Sequence, residues 1–132
     1  MIDVEKQSDE PIDQIVGRYL ANLIESGMNV SFCVLFGSHV SDRATDLSDI
    51  DVLVVSKEFD QPFGRSAIDH LWRVAARTDS RIEPIPVGMK IYSEPVGVSA
   101  VIEEARRTGM VIKPHRASRT TPKPIPALEP TV

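Results

Sequence analysis

Two short motifs in this chain depart from the logic of fold building. Gly37-Ser38 ends the apolar run Val30-Ser-Phe-Cys-Val-Leu-Phe36, and Asp49-Ile50-Asp51 opens another, Val52-Leu-Val-Val55, with ten residues between the motifs. A strand alternates its side chains, so Asp49 and Asp51 project from one face while Ile50 and Val52 take the other. Like charges side by side at the mouth of a buried strand repel unless a cation lies between them. Oxygen-only carboxylate ligands suit Mg²⁺, and such a pair can organise two ions, one at an attacking oxygen and one at a leaving oxygen. Gly37 lacks a Cβ, so the backbone can approach a ligand closely, and the following N–H groups with the Ser38 hydroxyl could cradle phosphates. No Gly-Lys-Ser/Thr follows, so this is not a P-loop. Alone, Gly-Ser after a strand is an ordinary turn and Asp-x-Asp an ordinary loop. It is the conjunction, each motif abutting an apolar strand, that points to a site.

The elements that must hold these motifs follow from periodicity. Ile12, Ile15, Val16, Tyr19, Leu20, Leu23 and Ile24 form one apolar helical stripe, with Ser8 or Asp9 as cap, Pro11 in the first turn and Gly27 at the end. Strands are predicted at 30–36 and 49–55. Ile68, Leu71, Trp72, Ala75 and Ala76 predict a core helix over 65–78. Ile82-Glu-Pro-Ile-Pro-Val87 alternates, but Pro84 and Pro86 lack ladder donors and place it at a sheet edge. Val98, Val101, Ile102 and Ala105 predict a third helix closed by Gly109, and Met110-Val-Ile112 a last short strand. Strands alternating with helices predict an α/β or α+β domain, a small mixed β-sheet with helices packed mainly on one face.

The 132 residues make about one domain, with 42% hydrophobic and 26% charged residues, which excludes a disordered chain or a collagen-like repeat. The one cysteine, Cys33, excludes an intrachain disulfide and reads as an inert core thiol. No apolar run reaches the length of a membrane helix, and the acidic MIDVEKQSDEP start is unlike a signal peptide, so a cytoplasmic protein is expected. A net charge of −4 gives no nucleic-acid signal. Residues 113–132 hold five of the ten prolines and four Lys/Arg against one acidic residue, and read as a disordered basic tail. The folding unit is therefore 10–112.

The segment LFGSHVSDRATDLSDIDVLVV, residues 35–55, resembles the nucleotidyltransferase motif of the DNA polymerase beta superfamily. It is most similar to the small minimal nucleotidyltransferases often paired with HEPN-domain proteins in toxin–antitoxin modules. The flanking helices and the EEARRTGMVIK ending are also similar. The resemblance implies a nucleotidyltransferase fold in which Gly37 and Ser38 hold the nucleotide's phosphates and Asp49 and Asp51 bind two Mg²⁺. It implies a third carboxylate on a later strand, which binds metal and helps deprotonate the attacking hydroxyl. Glu83 is the candidate, sharing a face with Ile85 and Val87; the competing account is an edge charge paired with Arg81. Two departures stand out: the family more often has Asp at the third position, and Asp42 replaces a glycine four residues after the motif serine. His39 and Arg43, in the same loop, are further candidates to touch the phosphates; the competing account is a solvated loop. Trp72 reads as a core anchor, and Arg73, Arg77, Arg106 and Arg107 as surface charges.

By this resemblance the chain transfers AMP from ATP to a hydroxyl, with a HEPN-type partner protein as acceptor, in the manner of an adenylylating antitoxin. Its length leaves no room for the added helical domain of aminoglycoside nucleotidyltransferases or for a template groove. The alternative is a catalytically weak module that neutralises or regulates its partner by binding alone, motivated by Asp42, Glu83 and Pro84. A glycosyltransferase using Asp-x-Asp leaves Gly37-Ser38 unexplained.

Overall fold

Burial of one stripe of the first helix organises the molecule. In the computed structural model, which describes residues 10–40, 44–45, 48–94 and 99–114, α1 spans Ile12–Glu25. Its Ile15, Val16, Tyr19, Leu20 and Leu23 are buried, with Ile12 and Ile24 packed at the margin of the same core. Pro11 occupies the N-cap position rather than the first turn; Ser8 and Asp9 lie outside the described residues. Gly27 ends the helix at a φ of 104°, the left-handed region where a Cβ is strained.

Strands β1 (Phe32–Phe36), β2 (Ile50–Ser56), β3 (Ile82–Gly88) and β4 (Met110–Ile112) form one mixed sheet in the order β3-β2-β1-β4. β1 is antiparallel to β2 and β4, whereas β2 and β3 run parallel, joined by the crossover helix α2 (Arg65–Thr78). The edge position expected for β3 is observed. The Arg81 carbonyl accepts from the Ile50 N–H at 2.8 Å, so by the two-residue period Glu83, Ile85 and Val87 turn their backbone groups to β2. Pro84 and Pro86 then face the free edge, where no ladder donor is required.

Helices cover both faces, not mainly one. On the first face α1 and α2 pack over Cys33, Leu35, Ile50, Val52, Val54 and Ile82. On the second, Ile102 and Ala105 of α4 (Ala100–Thr108) pack on Val34, Phe36, Leu53, Val55 and Val87. A five-residue helix, α3 (Met89–Ser93), was not expected; its Tyr92 meets Phe32 edge-to-face at 5.2 Å and carries the Arg106 guanidinium over its ring. α2 occupies its predicted span, but its core face is Leu71, Val74 and Ala75. Trp72, expected as a core anchor, is 46% exposed, and Ile68 and Ala76 are exposed with it. α1 is the reason: Tyr19, Asn22 and Ser26 hold Leu71, Thr78 and His70, which turns the Ile68–Trp72 flank away from the core. Cys33 is fully buried, and burial pushes its thiol up to about 12. No helix among the described residues is long and apolar enough to cross a membrane.

Candidate active site

The two motifs meet at one end of the sheet. β1 finishes at Phe36, which is the register partner of Asp51 at the start of β2. The chain then turns through a one-turn 3-10 helix, Gly37–His39, with Ser38 at its centre. Gly37 has a φ of 87°, and a Cβ there would come within 2.5 Å of Asp51 Oδ2. The glycine therefore serves both the turn and the close approach of backbone to carboxylate. His39 Nε2 lies 3.3 Å from the Ser48 carbonyl, so its Nε2–H ties this turn to the residue before Asp49. Asp42 and Arg43 lie outside the described residues.

β3 brings the third carboxylate. Asp51 and Glu83 are register partners across the parallel β2–β3 ladder and share a face with Leu53, Ile85, Val55 and Val87. Asp49 lies one residue before β2, two from Asp51, and is exposed. The Glu83 carboxyl is raised above its ordinary range by partial loss of water, then by a hydrogen bond with Asp49 and the charges of Asp49 and Asp51. Asp51 is raised by burial, then by Asp49 and Glu104, with His39 acting in the opposite sense. Arg81 pairs with Asp79 at 2.8 Å, which removes the motive for reading Glu83 as its edge-strand partner.

Carboxyl groups held this close repel when both are ionised, which a shared proton relieves. A cation would take that proton's place, and the all-oxygen donor set suits a hard divalent ion. Among the described residues no group of three or more His, Cys, Asp or Glu side chains is arranged to hold a metal ion. The contacts run pairwise, Asp49 with Glu83 and Asp51 with Gly37, which fits Mg²⁺ held by one or two carboxylates with water and phosphate oxygens completing its shell. Glu104 was missed in the sequence. It is an exposed helical residue beside Glu103, Arg106 and Arg107, and only the packing of α4 brings its charge to bear on Asp51.

Known proteins share this fold and a stretch of this sequence. The family model "Polymerase beta, Nucleotidyltransferase" matches residues 19–83, from the buried Tyr19 of α1 through both motifs to Glu83. A crystal structure of a Sulfolobus solfataricus protein, described provisionally as a nucleotidyltransferase, superposes with a TM-score of 0.52 at 18% identity, covering 80% of this chain and 82% of that one. That likeness is one of fold. No curated protein sequence matches the chain. Residues 19–83, which hold the Gly-Ser turn, the Asp pair and the third acidic residue on one sheet end, form a nucleotidyltransferase domain of the polymerase beta family.

Proposed function

We propose that this protein is a metal-dependent adenylyltransferase that moves AMP from ATP to a hydroxyl on a partner protein, with a HEPN-type protein as the partner implied by the sequence resemblance. The observation that carries the reading is the alignment of Asp51 with Glu83 on adjacent strands, with Asp49 near enough to help raise the Glu83 carboxyl and Gly37 pressed against Asp51. Asp49 and Asp51 are assigned to hold the divalent cations, Mg²⁺ in the two-ion arrangement, with Glu83 completing the set. When bound, such ions neutralise triphosphate charge and ease deprotonation of a hydroxyl.

The chain's own groups supply the rest. Gly37 and the Ser38 hydroxyl take the terminal phosphates, and the absent Cβ keeps the backbone close to them. Glu83 Oε accepts the proton of the attacking hydroxyl. The acceptor oxygen bonds to the α-phosphorus as its bond to the leaving oxygen breaks, and pyrophosphate departs. Such a transfer depends chiefly on positioning and charge. Pyrophosphate release from Mg²⁺-ATP, with AMP carried on the co-purified partner, is the expected result. Tight partner binding without nucleotide consumption overturns it.

The second reading, partner binding alone, is favoured by one observation: among the described residues the carboxylates are not gathered into a ready cage. Isothermal titration of Mg²⁺-ATP with and without the partner separates the two, since a binding module takes up the partner and no nucleotide.

A further inference from the structure

The exposed flank of α2 is a surface that the nucleotidyltransferase reading leaves unused. Ile68 and Trp72, one turn apart, are 37% and 46% exposed. Arg65, Asp69 and Arg73 on the same side are exposed as well. Among the described residues neither Asp69 nor Arg73 forms an ion pair. The flank lies beyond β3, because the opposite side of α2 is held by α1 through Tyr19, Asn22 and Ser26. It is also on the sheet face away from the Asp51–Glu83 pair.

A partner could reach this corner as a strand added to β3 or as a helix laid on α2. The free edge of β3 presents Pro84 and Pro86, which have no N–H to donate, so strand addition is disfavoured. The helix mode remains, and the order of residues selects its occupant. In a two-fold pair of antiparallel α2 helices, Ile68 meets Trp72 of the second copy twice when the axis passes residue 70. Asp69 meets Arg73 of the second copy twice when it passes residue 71. The two optima differ by one residue, about 1.5 Å along a helix, which side chains absorb. In an antiparallel pair the same flanks of the two helices face each other, so both contacts form together. In a parallel two-fold pair the Asp69–Arg73 flank would instead face the opposite flank of the second copy, and these pairs would not form.

We propose that the protein forms a two-fold homodimer through antiparallel contact of α2, with Ile68 and Trp72 as the apolar centre and Asp69–Arg73 pairs at its margin. This does not rest on the catalytic reading, since the site faces away. The interface is small, so the dimer is concentration-dependent and exchanges readily.

Sedimentation of the full chain over a concentration series tests it, with fluorescence as a second measure, because Trp72 is the only tryptophan. The expected wild-type result is a monomer–dimer equilibrium with a blue shift of Trp72 emission as dimer accumulates. Trp72→Ala, a surface change that preserves the fold, should raise the dissociation constant roughly thirtyfold, the scale of an aromatic anchor. Asp69→Arg alone and Arg73→Asp alone should each be monomeric through self-repulsion. Mixed in equal amounts they should form the dimer that neither forms alone, because every marginal pair in the mixed species is then opposite in charge. Wild-type protein that stays monomeric, or a mixture no more associated than its components, overturns the proposal.

Discussion

Gly37 is constrained by two separate things, its backbone and its neighbour, and substitution separates them. The Asp51 carboxylate that a Cβ would strike is the far end of a side chain and can swing aside, whereas the φ of 87° cannot be relieved locally. Gly37→Ala should therefore cost about 1–2 kcal/mol in stability from the left-handed backbone. It should weaken nucleotide binding further by displacing Asp51; thermal melts and nucleotide titration measure the two parts. Asp51 should behave in the opposite way. Its carboxyl and that of Glu83 are raised, so in the pH range from the ordinary carboxylate value up to the raised one the folded state binds more protons, and stability falls as pH rises. Asp51→Asn should accordingly melt at or above the wild-type temperature at neutral pH without metal, while transfer falls by orders of magnitude. Glu83→Gln should depress transfer more than Mg²⁺-ATP binding, with Glu83→Asp retaining part of the rate. A marked loss of stability in both amides would make the carboxylates structural.

Between α2 and β3, one turn sets where Glu83 lies. Asp79 accepts hydrogen bonds from the Arg81 backbone N–H at 2.9 Å and from its guanidinium Nε at 3.0 Å and Nη2 at 2.8 Å. The Arg81 side chain holds the Asp79 carboxyl below its usual range, so the stabilisation is present above the ordinary carboxylate value and is lost as pH falls through the lowered one. Asp79→Ala should cost about 1–2 kcal/mol near neutrality. Urea unfolding at neutral and at acid pH should show the gap from wild type closing in acid, and transfer should fall with the loosened β3. Some elements were legible because one physical rule governs them. The prolines of β3 dictated an edge, and the period of two put Glu83 on the face of Asp51. The core face of α2 was not legible, since helical periodicity offers Ile68 and Trp72 as readily as Val74 until α1 is in place. Glu104 and the five-residue α3 left no signal, because their placement follows from contacts distant in sequence.

Across the whole molecule, the α1–α2 layer and the α4 layer clamp one four-stranded sheet, and few polar contacts join the layers. Tyr19 instead ties the two helices of the first layer, donating from its buried hydroxyl to the Leu71 carbonyl at 2.9 Å. Tyr19→Phe should lower stability by about 1 kcal/mol, read by urea unfolding, because the carbonyl keeps its helical partner and only the added bond is lost. The central strand β1 carries a further consequence. Cys33 lies there, fully enclosed, with its thiol pushed up to about 12, so it is both out of reach of a reagent and almost wholly protonated in the folded chain. Disulfide-exchange reagents can react only when β1 separates from the α1–α2 layer that covers Cys33. The single thiol is thus a built-in reporter of opening, and its labelling rate under native conditions, compared with that of the unfolded chain, gives the free energy of the opening that exposes it without any denaturant. Ligands that bind only the folded form should slow that labelling in proportion to their occupancy, so one residue remote from the site can measure what the site binds.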